Sequence, residues 1–368
     1  MSAEIPVNSL SRHIDPLHQE LVQVSADVLS SGHYVLGPNV KAFEQEFAAY
    51  CGVAECVSVA NGTEALELGL RSLGICPGKT VAVVANAAMY GTTAVLSCGA
   101  EPIFVDIDPV THTMSPHALE KILSAPRHID VVIVTHLYGQ LADMEAIQAL
   151  SSQYGFAIFE DCAQAHGARN AAGEKAGSFG RAASFSFYPT KNLGTLGDGG
   201  AITTNDGDLA SRLRQLRQYG WTSKYRNELA GGRNSRLDEL QAAFLRRMLP
   251  LLDGWNARRR KIATRYSTEI SNPKITPPPA GGEDFVAHLF VIKTENRDDF
   301  QRHLAASGIG SDIHYPIPDH RQLLFGDRFD SLQIPVTENA CEQIVTLPCF
   351  PELTDEEITR VVDACNRW

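Results

Sequence analysis

Lys191 stands just past a short apolar strand, Ala183-Ser-Phe-Ser-Phe-Tyr188, which Pro189 breaks. Ser186 lies inside that strand, and four glycines (Gly194, Gly197, Gly199 and Gly200) follow the lysine. Burial penalises an ammonium more than a neutral amine, so a lysine held at the end of a buried strand is a candidate nucleophile for Schiff-base chemistry. Alone, a lysine after a strand is an ordinary surface residue, and a second group must single it out. Asp161 does so, thirty residues earlier, because it closes another apolar strand, Phe156 to Phe159 followed by Glu160-Asp161. A third element is Asn61-Gly62-Thr63, where the short strand Cys56 to Ala60 turns into the helix Glu64 to Leu73. Free N–H groups and the positive end of a helix dipole make such a turn an anion cup.

The elements that must position these groups follow from the hydrophobic pattern. Helices are expected over Leu17 to Val28, Val40 to Tyr50, Ala88 to Cys98, Ser115 to Leu123 and Met144 to Tyr154. Between them run short apolar strands: Val81 to Ala85, Ile103 to Ile107 and Val131 to Thr135, then Ala201 to Thr204 past the lysine. Strands alternating with amphipathic helices predict an α/β fold, a mostly parallel sheet covered on both faces, with ligands beyond the carboxyl ends of its strands. No G-x-G-x-x-G follows a strand, so a dinucleotide site is not supported. Tyr219 to Arg236 reads as irregular, and Leu252 to Ile270 as a long connecting helix. The tail reads as strand, helix, strand and final helix, a small α+β unit. The division is placed between residues 1–252, the large domain, and 253–368, the small C-terminal domain.

Composition narrows the partners. A chain of 368 residues with 44% hydrophobic content can bury a sizeable core, and its net charge of −11 argues against nucleic acid or an anionic membrane surface. The basic run Arg258-Arg-Arg-Lys261 reads as a solvated helix face. MSAEIPVNSL lacks an apolar leader core, no run reaches membrane-spanning length, and the eight cysteines show no CxxC spacing. A cytoplasmic protein with reduced thiols and no metal centre is expected.

Lys191 and Asp161 together match the needs of pyridoxal phosphate, with a lysine to form the imine and a carboxylate to hold the pyridine nitrogen protonated. Gly62, Thr63 and Ser186 are candidate phosphate donors, and Tyr90, at a helix start beyond a strand, is a candidate cover for the ring face.

Six motifs carry a family resemblance: Gly62-Thr63-Glu64, His136-Leu-Tyr-Gly-Gln140, Glu160-Asp-Cys-Ala-Gln-Ala-His-Gly167, Ser184-Phe-Ser-Phe-Tyr-Pro-Thr-Lys-Asn192, Gly197-Asp-Gly-Gly200 and Asn234-Ser-Arg-Leu-Asp-Glu-Leu-Gln241. Long and ordered, they resemble the DegT/DnrJ/EryC1/StrS sugar aminotransferases over nearly the whole chain. The resemblance implies the aspartate aminotransferase (type I) fold and pyridoxal 5′-phosphate as cofactor, with pyridoxamine 5′-phosphate in the cycle. Carried over residue by residue, it implies Lys191 as the Schiff-base lysine and Asp161 as partner of the pyridine nitrogen. Gln164 is implied near the ring hydroxyl, and Gly62, Thr63 and Ser186 in the phosphate cup. Asn234 matches an asparagine that reaches the neighbouring subunit's cofactor, which implies a homodimer with shared active sites. His166 is implied either as a supporting residue or as a substrate contact. Tyr188, Lys224, Tyr225, Arg236, His314, Tyr315 and His320 fall in stretches that resemble the sugar-nucleotide pocket.

One departure is Ala88-Met89-Tyr90, where many members carry threonine followed by an aromatic residue. Either Met89 or Tyr90 covers the ring, and an aromatic face favours Tyr90. His136–Gln140, Gly180–Pro189, Gly220–Tyr225 and Trp255–Arg259 resemble the branch acting on dTDP-3-keto-6-deoxyhexoses. L-Glutamate as amino donor, giving 2-oxoglutarate, is the implied co-substrate. The alternatives are amination at C4 of a 4-keto-6-deoxy sugar, a cofactor-linked sugar dehydratase, in which histidine replaces the lysine, and a non-catalytic binding protein on the same fold.

Overall fold

The computed structural model describes residues 4–125 and 128–368; the first three residues of the N-terminal segment MSAEIPVNSL lie outside it. Seven strands form one sheet: β1 (Glu55–Val59), β2 (Thr80–Val84), β3 (Glu101–Val105), β4 (Val131–Thr135), β5 (Ala157–Asp161), β6 (Ala182–Ser186) and β7 (Gly200–Thr204). Their order across the sheet is β1-β7-β6-β5-β4-β2-β3. Only β7 runs against its neighbours; the pairs β2–β3, β2–β4, β4–β5 and β5–β6 are parallel. Runs such as Val131-Val-Ile-Val-Thr135 are buried along their whole length, as a sheet covered on both faces requires.

Helices His18–Ser31, Pro38–Cys51 and Glu239–Met248 pack together over one face, where Phe43, Phe47, Phe185 and Phe187 form an aromatic core. Helices Gly62–Ser72, Tyr90–Ser97 and Gly207–Leu216 cover the other. A third core joins helix Leu252–Glu269 to a two-stranded sheet (Phe290–Lys293 with Ile344–Leu347) and helices Arg297–Ala306 and Asp355–Arg367. Ile5 belongs to this last core: its amide donates to the Gly308 carbonyl and its own carbonyl accepts from Gly310. The start of the chain therefore packs against its end, a crossing that a division at residue 252 leaves out.

Three local expectations are corrected. The helix expected from Ala88 begins at Tyr90, because Ala88 and Met89 hold φ of 55° and 65°, outside the helical region. The stretch expected to be irregular carries a hairpin, Trp221–Ser223 with Arg226–Asn227. The basic run is not wholly a solvated face: Arg259 is buried, and its guanidinium donates to the Cys349 carbonyl.

Candidate active site

The reversal of β7 builds the anion cup. Gly200, its first residue, is the ladder partner of both Val59 and Ser186, so the carboxyl ends of β1 and β6 flank one point. The approach leaves no room for side chains. A Cβ on Gly62 would lie 2.6 Å from the Ser186 Cβ, and one on Gly200 would lie 2.4 Å from the Asn61 carbonyl oxygen. The Asn61 side chain caps the next helix by accepting from the Glu64 amide at 2.9 Å. First-turn amides have no partner within a helix, and both Gly62 and Thr63 line the cavity there. Gly62→Ala is expected to cost about 1–3 kcal/mol through overpacking against Ser186, read as a lower midpoint of chemical unfolding; an unchanged midpoint would show that the two backbones can part.

Alternation along β6 sends Phe185 and Phe187 into the aromatic core and leaves Ser186 on the opposite face, against Gly62. Lys191 follows on a loop that returns to the sheet, its amide donating to the Tyr188 carbonyl at 2.8 Å. Lys191, Asp161, Ser186, Gly62 and Thr63 line one cavity of about 870 Å³, within the range of small-molecule sites. Burial pulls the Lys191 amine down from its ordinary value to about 8, against the opposing pull of Asp161. Burial also pushes the Asp161 carboxyl up, offset by the Ala163 amide, which donates to Oδ1 at 3.1 Å, and by Lys191.

Behind Asp161 lies Glu160, wholly buried and an acceptor at every contact. Its Oε1 takes the Phe179 and Gly180 amides at 2.8 and 2.7 Å, and its Oε2 takes the Gly177 amide at 2.8 Å. His136 completes the set. Its Nδ1 accepts from the Ala142 amide at 3.1 Å, so the proton resides on Nε2, which donates to Glu160 Oε2 at 3.0 Å. The Lys191 loop is tied from the other side: Asn192 Nδ2 donates to Asn256 Oδ1 at 2.8 Å, and His288 Nδ1 lies 3.0 Å from Asn192 Oδ1.

Tyr90, Tyr188, His314 and Tyr315 also line the cavity, with the Tyr90 and Tyr315 rings edge to face at 6.3 Å. Met89, by contrast, is half-buried and packs against the core on that face of the sheet. Gln164 is buried just behind the wall, accepting from the Tyr138 amide at 2.6 Å and donating to the Tyr315 hydroxyl at 3.1 Å.

Other expected contacts are not brought together. His166 does not line the cavity as a substrate contact would: it is 0% exposed and packs against Phe185 and Phe187 on the aromatic side of β6, which fits the supporting place of its two implied ones. Burial pulls its imidazole down to about 3, so it stays neutral. His320 is a correction, buried with its Nε2 3.0 Å from Glu338 Oε1 and its ring against Phe104. Lys224 and Tyr225 project from the exposed hairpin, Asn234 is exposed and Arg236 half-buried, and none of the four lines the cavity of its own chain. Sequence reasoning missed His288, Asp312 and Arg233, which do line it. The histidine inside the apolar run Phe285-Val-Ala-His-Leu-Phe290 was the available signal for the first.

A strand-end lysine beside a buried carboxylate, under a helix N-terminus in an α/β sheet, defines a group-transfer enzyme site built for an imine and an anion. The chain belongs to the DegT/DnrJ/EryC1/StrS aminotransferase family, whose sequence profile matches residues 16–366. It is 45% identical over 359 residues to the dTDP-3-amino-3,6-dideoxy-alpha-D-galactopyranose transaminase of Aneurinibacillus thermoaerophilus, covering 97% of this chain and 98% of that one. It is 42% identical over 367 residues to the dTDP-3-amino-3,4,6-trideoxy-alpha-D-glucose transaminase of Streptomyces venezuelae, covering 99% and 96%. The crystal structure of S. venezuelae DesV in complex with a ketimine intermediate superposes with a TM-score of 0.95 at 42% identity, covering 100% of this chain and 99% of that one. Bacillus subtilis NtdA with bound cofactor PMP gives 0.93 at 31%, covering 100% and 85%.

Proposed function

We propose that this protein is a pyridoxal 5′-phosphate-dependent transaminase that converts a dTDP-linked 3-keto-6-deoxyhexose into its 3-amino sugar, with L-glutamate as amino donor. The observation that carries the reading is Lys191, pulled to about 8 beside the buried Asp161 in a cavity that begins at a helix N-terminus. Relatives at 42–45% identity are named for 3-amino dTDP sugars, which supports the position and the nucleotide. The cup at Gly62, Thr63 and Ser186 fits the cofactor phosphate, since the missing side chains leave the first-turn amides open.

When bound, pyridoxal phosphate supplies an electrophilic carbon for amines and a ring that takes up electrons from the substrate. The chain supplies the rest. Lys191 Nζ would be the nucleophile that holds the cofactor and, as a free amine, would move the proton, a role typically worth roughly 10²–10⁴-fold. Asp161 would hold the ring nitrogen protonated. Tyr90 would cover the ring, and with Tyr188, His314 and Tyr315 it would wall the side of the cavity that takes the sugar.

Charge supports a shared site. Among the cavity-lining residues Lys191 and Arg233 are the two cations, against five carboxylates: Glu64, Glu67, Asp161, Asp198 and Asp312. Arg233 is already paired with Glu67. Two phosphorylated ligands need more positive charge than this; the exposed Lys224 and the half-buried Arg236, with the exposed Asn234 as a neutral donor, are suited to supply a second copy's site in a homodimer. No helix among the described residues is long and apolar enough to cross a membrane.

The test is an absorbance spectrum of the purified protein before and after glutamate. A cofactor band that bleaches on adding glutamate, followed by ping-pong kinetics with the keto sugar, is expected. No band even after adding pyridoxal phosphate would sink the reading. Locating the new amine by NMR, on dTDP- and UDP-linked 3-keto sugars and on a 4-keto-6-deoxy sugar, settles position and nucleotide together.

The Lys191 value gives a pH prediction. An amine lowered to about 8 is neutral in roughly a tenth of molecules at pH 7. Uptake of pyridoxal phosphate by the apoprotein should therefore accelerate up to pH 8 and level off above it. Asp161 favours the ammonium, so Asp161→Asn should move that midpoint to lower pH. A midpoint near that of free lysine would refute the burial argument.

A further inference from the structure

Asp319 joins two stretches of chain that the sequence holds more than two hundred residues apart. It is 1% exposed. Its Oδ1 accepts the Met89 amide at 2.9 Å, its Oδ2 accepts the Thr92 hydroxyl at 2.6 Å, and its own amide donates to the Ala85 carbonyl at 2.7 Å. The turn so gripped is unusual. Ala88 and Met89 are consecutive non-glycine residues in the left-handed region, at φ of 55° and 65°, a conformation that persists only where surrounding contacts over-determine it. Met89 is also the residue before the helix Tyr90–Ser97, and it has no side-chain cap of its own. Asp319 therefore takes the place of a local cap, from a distant segment.

The turn decides which side chain meets the cavity. With both residues left-handed, Met89 packs against the core and Tyr90 lines the cavity, 50% exposed. The segment that ends in Asp319 also carries His314 and Tyr315, which form the facing wall. We propose that Asp319 is a positioning residue that fixes Tyr90 over the cofactor ring and locks that ring to the His314–Tyr315 wall. The proposal rests on the reading of this cavity as a pyridoxal phosphate site. Without the carboxylate, the buried Thr92 hydroxyl and the Met89 amide lose their acceptors. The turn then keeps only main-chain bonds such as that from the Tyr90 amide to the Ala87 carbonyl, and relaxation turns Tyr90 off its face.

The test is a double-mutant cycle read by the dissociation constant of pyridoxal 5′-phosphate, titrated into full-length apoprotein and followed by absorbance. Asp319→Ala and Tyr90→Ala are each expected to weaken binding about tenfold, and the double variant to be no more than about twofold worse than Tyr90→Ala alone. A merely structural role would not vanish when the ring is removed. Asp319→Asn keeps an oxygen for the Met89 amide and an amide group for the Thr92 oxygen, and should restore binding to within about threefold of wild type. Should Asp319→Ala not fold, Thr92→Val removes one of the two donors with little change of shape. Its expected loss of about threefold should likewise disappear in the Tyr90→Ala background. Additive losses, or wild-type affinity in Asp319→Ala, would overturn the proposal. A wild-type protein that takes up no cofactor overturns instead the reading beneath it, an outcome distinct from additive losses in a protein that binds.

Discussion

Lys191→Ala is expected to lower kcat by about 10⁴-fold or more, because the variant loses both a covalent partner and the amine that moves the proton. The size of the effect follows from the site. Among the cavity-lining residues no other amine is present, and the one further cation, Arg233, is paired with Glu67. The buried His166 stays neutral and away from the wall, so it cannot substitute. Asp161 and the Gly62 cup remain in place, and the variant should therefore still bind pyridoxal phosphate, more weakly and without the covalent link. Single-turnover kinetics with glutamate, alongside borohydride reduction and mass analysis of the adduct, measure the two effects separately. Near-native turnover, or a reduced adduct still formed on the variant chain, would show that the nucleophile lies elsewhere.

The largest expected loss of stability is at Glu160. Truncation to alanine leaves the buried Gly177 amide and His136 Nε2–H, and the half-buried Phe179 and Gly180 amides, without their acceptor. Removing one partner from a buried charged network typically costs about 3–5 kcal/mol. Glu160→Gln should fall between, since one oxygen still accepts while the new amide group faces donors. Denaturant unfolding reads the loss directly, and a change within about 1 kcal/mol would mean that water replaces the carboxylate. Because Glu160 adjoins Asp161 on β5, Glu160→Ala should also weaken cofactor retention.

The fold and the meeting of Lys191 and Asp161 in one cavity were legible in the sequence because their signals are local. Apolar runs of five residues alternate with amphipathic helices, and Lys191 and Asp161 each follow such a run. Gly62 was legible for the same reason, as a glycine between a strand and a helix. What was not legible depends on distant packing. His166 sits five residues past Asp161, yet β6 presents it with two phenyl rings and not with the cavity. His320 follows a proline-rich loop whose burial is set by Phe104 and Glu338. The left-handed pair Ala88–Met89 carries no glycine to announce it, and its cause, Asp319, lies far along the chain. Helix Pro335–Gln343 sends no such signal, because Pro-Val-Thr-Glu-Asn-Ala-Cys-Glu-Gln has little apolar periodicity.

The loop that bears Lys191 leaves the sheet at Ser186 and re-enters it at Gly200, and those two residues are ladder partners. In mechanical terms the lysine sits on a closed ring whose two ends are bolted to one rung, about 5 Å apart, and not on a strap between independent bodies. Such a ring has no net tension to pass on. Lengthening or reshaping the rim of the cavity at the His314–Tyr315 segment leaves the anchor points of Lys191 where they were. The seat of Lys191 and the shape of the facing wall are thus set by different parts of the chain.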